Sequence, residues 1–406
     1  VSRPHHRVGP LAAAPGSAPV LDVDALLDDP QTGIIVCCGS GGVGKTTTSA
    51  ALALRAAERG RKVVVLTIDP ARRLAQSMGI AALDNTPRPV AGVEGEGSLD
   101  AMMLDMKRTF DEVVESQASP EKAQQILENP FYVALSSSFA GTQEYMAMEK
   151  LGQLRRDAQR DGTYDLIVVD TPPSRSALDF LDAPDRLSSF LDGRFVKLLL
   201  APARGPARLM TAGLGIVTSA LSKILGGAFL RDLQTFIAAI DTVFGGFRVR
   251  AQQTYALLQA PGTAFLVVAA PEPDALREAA YFVERLGQEQ MPLAGLVVNR
   301  ASRAPLGDLS ADEAMAASAR LKRESAGSET APVTAGLLRL HADRARMVER
   351  EATLRERFAA AHPSIATAVV PALAGDVHDL DGLRVVGGLL AGDVAGDVAG
   401  DVAGEE

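Results

Sequence analysis

Ile34-Ile35-Val36-Cys37-Cys38-Gly39-Ser40-Gly41-Gly42-Val43-Gly44-Lys45-Thr46-Thr47 is the stretch that decides how this chain folds. Gly39 and the triplet Gly44-Lys45-Thr46 stand at the spacing of a P-loop. The apolar run before them predicts a buried strand. The Ala/Leu-rich run Thr46–Arg59 after them predicts a helix that Gly60 closes. Each residue type has a task. Glycines let successive backbone N–H groups turn toward one anion. The helix start adds the positive end of its dipole. Lys45 brings a full charge to the outer phosphates, and the Thr46 hydroxyl is a ligand for Mg²⁺. Gly39, Ser40, Gly41, Gly42, Val43, Gly44, Lys45, Thr46 and Thr47 together form the expected cradle for ATP. A ligand-free strand-to-helix turn is the plain alternative, but it has no need for the lysine, the threonine and three further glycines.

Outward from the cradle, short apolar runs alternate with helical segments. The runs are Ile34–Cys38, Lys62–Asp69, Asp165–Asp170, Ala264–Ala269, Leu293–Asn299 and Ala368–Pro371. Continuous rather than alternating apolar character suits strands buried on both faces. The expected architecture is therefore α/β, a P-loop NTPase with a mostly parallel sheet flanked by helices. Asp274–Leu286, followed by Gly287, reads as one of those helices. Between Asp170 and Ala264 the rhythm breaks, and an apolar helical insertion is expected at about 186–258. A charged helical segment, Ser310–Phe358, precedes the last strand. Residues 1–30 read as a flexible lead-in, 31–391 as the ATPase domain, and 392–406 as a disordered acidic repeat tail.

Composition narrows the partners. Of 406 residues, 47% are hydrophobic, which suits a globular core, and the formal net charge is −9. An acidic chain without a concentrated basic stretch argues against nucleic acid. The apolar stretch Leu209–Leu230 is broken by Lys223, and its uncharged part is too short to span a bilayer, so no stable membrane insertion is expected. With no signal-type segment at the start, a cytoplasmic location is expected. Cys37 and Cys38 are neighbours in a strand, point to opposite faces, and suit packing rather than a disulfide or metal site. The five histidines are scattered and none is assigned to catalysis.

Three further positions carry the expected chemistry. Asp170 ends the run Leu166-Ile167-Val168-Val169, at the strand edge where ligands gather, and suits an anchor for Mg²⁺ beside Thr46. Asp69 ends the second run and suits a residue that orients or deprotonates the attacking water. Helix capping is the bland reading of both. Asn299 closes the strand Leu296-Val297-Val298, where an amide can read a purine or simply form a turn.

The doubled-glycine cradle, Asp69-Pro70-Ala71, Asp170-Thr171-Pro172, Pro271-Glu272, Val297-Val298-Asn299 and Val370-Pro371-Ala372-Leu373 occur in an order that resembles one family. It comprises the ATPases that drive arsenite pumps and target tail-anchored membrane proteins, and the chain is similar to its actinobacterial anion-transporting type. The resemblance implies a dimer that opens and closes around ATP during hydrolysis. It gives Asp69 and Lys45 catalytic roles, puts Asp170 in the second switch, and sets Asn299 and Pro371 against the adenosine. It also makes 186–258 the place where targeting members hold a hydrophobic helical client. The pattern departs from the family at Ser40, where members usually carry a lysine that crosses to the partner subunit's phosphates. The departure suggests a heterodimer with a paralogous ATPase rather than a homodimer, or substitution of that charge by Arg72, Arg73 or Arg175. It also keeps open a non-hydrolysing nucleotide-binding regulatory subunit. Separated metalloid-binding cysteines are missing as well, which argues against arsenite activation.

Overall fold

The computed structural model describes residues 18–68, 73–130, 132–133, 136, 142–172, 249–305, 309–324 and 330–393. Eight strands form one sheet. They are β1 (Ile34–Gly39), β2 (Lys62–Thr67), β3 (Arg88–Pro89), β4 (Ser98–Met103), β5 (Leu166–Asp170), β6 (Thr263–Ala269), β7 (Leu293–Ala301) and β8 (Thr367–Pro371). Their spatial order is β3-β4-β2-β5-β1-β6-β7-β8. All neighbours are parallel except β3 and β4. The chain runs from β1 toward one edge of the sheet and later from β6 toward the other. The end of β1 is thus the point where the connections diverge, which is where open α/β sheets bind ligands.

The pleat explains why the strands are apolar throughout. Along β1, Ile34, Val36 and Cys38 enter one core layer, while Ile35 and Cys37 enter the layer on the opposite face. The two cysteines therefore do point apart, as adjacent strand residues must. On the Ile35 side lie α1 (Val23–Asp28), α2 (Lys45–Glu58) and α10 (Leu380–Ala391). On the other lie α4 (Met106–Gln117), α5 (Pro120–Leu127), α6 (Thr142–Asp161), the helical segment 249–259 and α7 (Pro273–Gln288). Helix α2 is alanine-rich because it is enclosed: Ala50, Ala51, Leu52, Ala53 and Leu54 are all fully buried. Small side chains let α10 come close, and a methyl added at Gly387 would stand 3.5 Å from the Ala51 carbonyl oxygen. Short α3 (Arg73–Ser77) follows β2, and α8 (Ala311–Glu324) and α9 (Ala331–Ala361) form a hairpin beyond the sheet.

Several sequence boundaries move. Residues 18–30, expected in the flexible lead-in, belong to the fold. Asp22 caps α1 by accepting from the Ala25 N–H, Val23 and Leu27 are buried, and Val20 bridges to Thr367. The expected single segment Ser310–Phe358 is two helices. Gly287 sits inside α7 rather than closing it, and Gln290 takes the left-handed conformation beyond the helix end, at φ 55°. β4 was not expected: Asp100 interrupts its apolar pattern, because the strand lies next to the sheet edge and is not enclosed on both faces. At the other end, Gly392 closes α10 at φ 78° and Asp393 pairs with Arg55, so these two residues belong to the domain rather than the tail. Most of the expected insertion (186–248), the rest of the tail and residues 1–17 lie outside the described residues.

Candidate functional site

Gly39, Asp170, Asn299 and Pro371 all stand at the carboxyl ends of parallel strands, so the sheet gathers onto one edge residues far apart in the chain. The loop from Gly39 to Gly44 has three left-handed or extended-positive glycines, at φ 150°, 76° and 93° for Gly39, Gly42 and Gly44. At Gly39 a Cβ would lie 2.1 Å from the Val268 carbonyl oxygen, and at Gly44 it would lie 2.2 Å from the Asn299 amide nitrogen. Only glycine fits both, for steric reasons as well as backbone ones.

Helix α2 begins directly at Lys45 with Gly44 as its N-cap. It has no side-chain cap and no acidic residue in its first turn. The first N–H groups of a helix need an external acceptor, and the first turn of α2 borders a cleft. That cleft has a volume of about 890 Å³ and is bordered by Gly42, Gly44, Lys45, Thr46, Thr47 and, across from them, Asn299 and Pro371. Lys45 is 6% exposed, and its Nζ donates to the Ser40 carbonyl oxygen at 2.8 Å. The ammonium is therefore folded back along the loop.

At the other side of Thr46 lies the acidic residue. Asp170 is wholly buried, and its Oδ2 accepts from Thr46 Oγ1 at 2.8 Å and from Thr67 Oγ1 at 2.9 Å. Thr67 pairs with Asp170 in register across β2 and β5. Sequence reasoning passed over Thr67; its place at the end of β2, level with Asp170, was the available signal. Thr171 turns the chain after β5 by donating its hydroxyl to the Cys37 carbonyl at 2.8 Å. A hydroxyl and a carboxylate side by side, beside an anion cradle, are hard oxygen donors of the type Mg²⁺ takes. The donor set fits that ion.

Asn299 is 9% exposed and donates through Nδ2 to the Val43 carbonyl oxygen at 2.9 Å. Its neighbour Arg300, which sequence reasoning did not single out, donates through Nη1 to the Gly42 carbonyl oxygen at 3.0 Å. Pro371 is half-buried at the end of β8, and Leu373, Val377 and His378 extend the same wall of the cleft. Asp69, Pro70, Ala71, Arg72 and Arg175 lie outside the described residues. The expected catalytic pair is therefore represented here by Lys45 alone.

Burial disposes of the thiols as ligands. Desolvation pushes Cys37 up to about 12, and Cys38 is raised further by the same cause. Among the described residues no group of three or more His, Cys, Asp or Glu side chains stands ready to hold a metal ion through a cluster of that kind.

The family model for the anion-transporting ATPases matches residues 32–322, from just before β1 through most of α8. The chain belongs to this family. Its relatives include the ATPase GET3 of Malassezia globosa, 31% identical over 166 residues, covering 41% of this chain and 46% of that protein. An arsenical pump-driving ATPase of Acidiphilium multivorum is 32% identical over 156 residues, or 38% of this chain and 26% of that one. The ATPase ASNA1 homolog of Cryptosporidium parvum is 28% identical over 264 residues, covering 64% and 63%. In each case this anion-transporting ATPase family member spans less than two thirds of the relative's length. No helix among the described residues is long and apolar enough to cross a membrane.

Proposed function

We propose that this chain binds Mg-ATP in the cleft at Gly39–Thr47 and hydrolyses it to ADP and phosphate. The observation that carries the reading is the Thr46–Asp170 contact of 2.8 Å beside the buried Lys45. A buried carboxylate is costly unless something compensates it, and two hydroxyls aimed at one of its oxygens hold it where a cation would sit. Thr46 and Asp170 would hold Mg²⁺, which supplies charge to offset that on the phosphate oxygens.

The chain's own residues account for the rest. The N–H groups of the loop and of the start of α2 bind the phosphates, and Lys45 accompanies charge as it moves toward the leaving oxygen. Asp69 would orient the water. Pro371 offers an apolar surface for the base, with Asn299 at its border.

The resemblance further supports a dimer whose nucleotide cycle drives transport or the handling of a hydrophobic helical client. Ser40 favours two refinements. In the first, a paralogous ATPase supplies the missing lysine across a heterodimer. In the second, the chain is a non-hydrolysing nucleotide-binding subunit that regulates such a partner. Steady-state turnover of the purified chain, alone and with its native partner, separates these readings. Measurable hydrolysis that Lys45→Ala abolishes is expected of an ATPase complete in itself. Turnover that rises at least about a hundredfold on adding the native partner would identify the heterodimer, since charge-supplying residues contribute about 10³–10⁵ in such enzymes. ATP binding with no turnover in either setting would favour the regulatory subunit.

A further inference from the structure

We infer that Asn299 and Arg300 are positioning residues that hold the phosphate cradle in its binding conformation, before any ligand arrives. The inference rests on the reading of Gly39–Thr47 as a phosphate cradle. Two consecutive residues at the end of β7 hold two consecutive carbonyls of the loop: Asn299 holds Val43, and Arg300 holds Gly42. In a planar trans peptide the C=O and the following N–H point in opposite directions, and no peptide among the described residues is cis. Fixing the Gly42 and Val43 carbonyls toward β7 therefore turns the N–H groups of Val43 and Gly44 away from it, into the loop. Neither N–H has an acceptor among the described residues, so both stay available to an anion.

The strand is shaped for this task. The pairing of β7 with β8 shifts register between Val298 and Ala301, and bulges of this kind re-aim side chains. Arg300 sits at φ 60°, a conformation that costs energy for any residue but glycine. The Arg300 N–H closes on Asn299 Oδ1 at 3.0 Å, which fixes the amide so that its NH₂ faces Val43. Gly44 has no side chain to obstruct that approach. Strain at Arg300 and the absence of a side chain at Gly44 are both accounted for by one function, the preorganisation of an anion site.

A loop clamp and a base contact differ in what they do to a ligand that has no base. Calorimetric titration of the full chain with Mg-ATP and with Mg-tripolyphosphate separates them. Arg300→Ala and the isosteric Asn299→Asp, which sets an acceptor against the Val43 carbonyl, should each weaken both ligands by a similar factor, about tenfold. Arg300→Lys, which restores a donor, should recover most of the loss. A loss confined to Mg-ATP would overturn the clamp and assign Asn299 to the base. Affinities unchanged for both ligands would also overturn it, whether or not the ligand-free melting temperature falls. If the wild-type chain takes up neither ligand, the cradle reading fails and the clamp goes with it. If the wild type binds both and the variants bind equally well, only the clamp fails.

Discussion

Asp170, Lys45 and the two cysteines show how differently burial acts on ionisable side chains. Asp170 and Lys45 are enclosed but have oxygen partners within 2.9 Å, whereas burial strips Cys37 and Cys38 of solvent and takes away the option of charge. The thiolate is the reactive form, and a thiol held near 12 has almost none of it at neutral pH. Both cysteines should therefore resist iodoacetamide at pH 8 in the folded chain and react within minutes in denaturant. Rapid labelling of the native protein, followed by mass spectrometry, would contradict this placement. The sequence supplied the P-loop and Asp170 at this scale because each lies in a contiguous signature. Thr67 and Arg300 were hidden, since their partners stand 103 and 258 positions away and only the sheet order brings them together.

Among the elements, the short α1 shows what local patterning misses. Residues 18–30 fall within the stretch read as a flexible lead-in, yet Arg61, just before β2, reaches back to hold them. Its guanidinium donates to the carbonyls of Leu27, Asp29, Thr32 and Asp165, and burial lowers its pKa. Three of those carbonyls lie at the end of α1 and in the turns beyond it and the fourth just before β5, so one side chain closes α1, the β1 entry and the β5 entry. Arg61→Ala leaves several of them without donors and should cost about 2–4 kcal/mol in urea unfolding at pH 7. Arg59→Ala removes solvent-facing pairs to Asp28 and Asp24 and should cost under about 1 kcal/mol. Equal losses would contradict this role for the Arg61 contacts. The strands of the sheet centre were legible because both faces are buried. β4 was not, because it is half-exposed and its pattern mixes with its surroundings, and 310–358 was legible as helical but not as two helices.

For the whole molecule, the seam between α1, α2 and α10 joins the start and end of the described chain across one core layer. Arg55 bonds to Asp24 on α1 and pairs with Asp393 after α10. The hydrogen bond from Arg55 holds Asp24 below the ordinary aspartate range. A carboxyl depressed in the folded state stabilises above its unfolded pKa, and that stabilisation is lost as pH falls through the folded value. Asp24→Asn should thus lower the urea midpoint at pH 7, and the gap to wild type should close from about pH 4 downward. A gap independent of pH would contradict the pairing. The fold class and the place of the 39–44 loop between β1 and α2 were legible at this scale. The register that sets β7 against the P-loop was not, because no local signal encodes which strand lies beside β6.

Main-chain amides and the Lys45 ammonium are proposed to grip a triphosphate beside the Thr46–Asp170 pair. Isothermal titration of Mg-ATP into the wild-type chain and into Lys45→Ala tests it most directly. The expected result is saturable binding by the wild type and a loss of at least about a hundredfold in the variant, as removal of a full charge from a partly dry site implies. Equal affinity in the two proteins, or no heat of binding to the wild type, would contradict it.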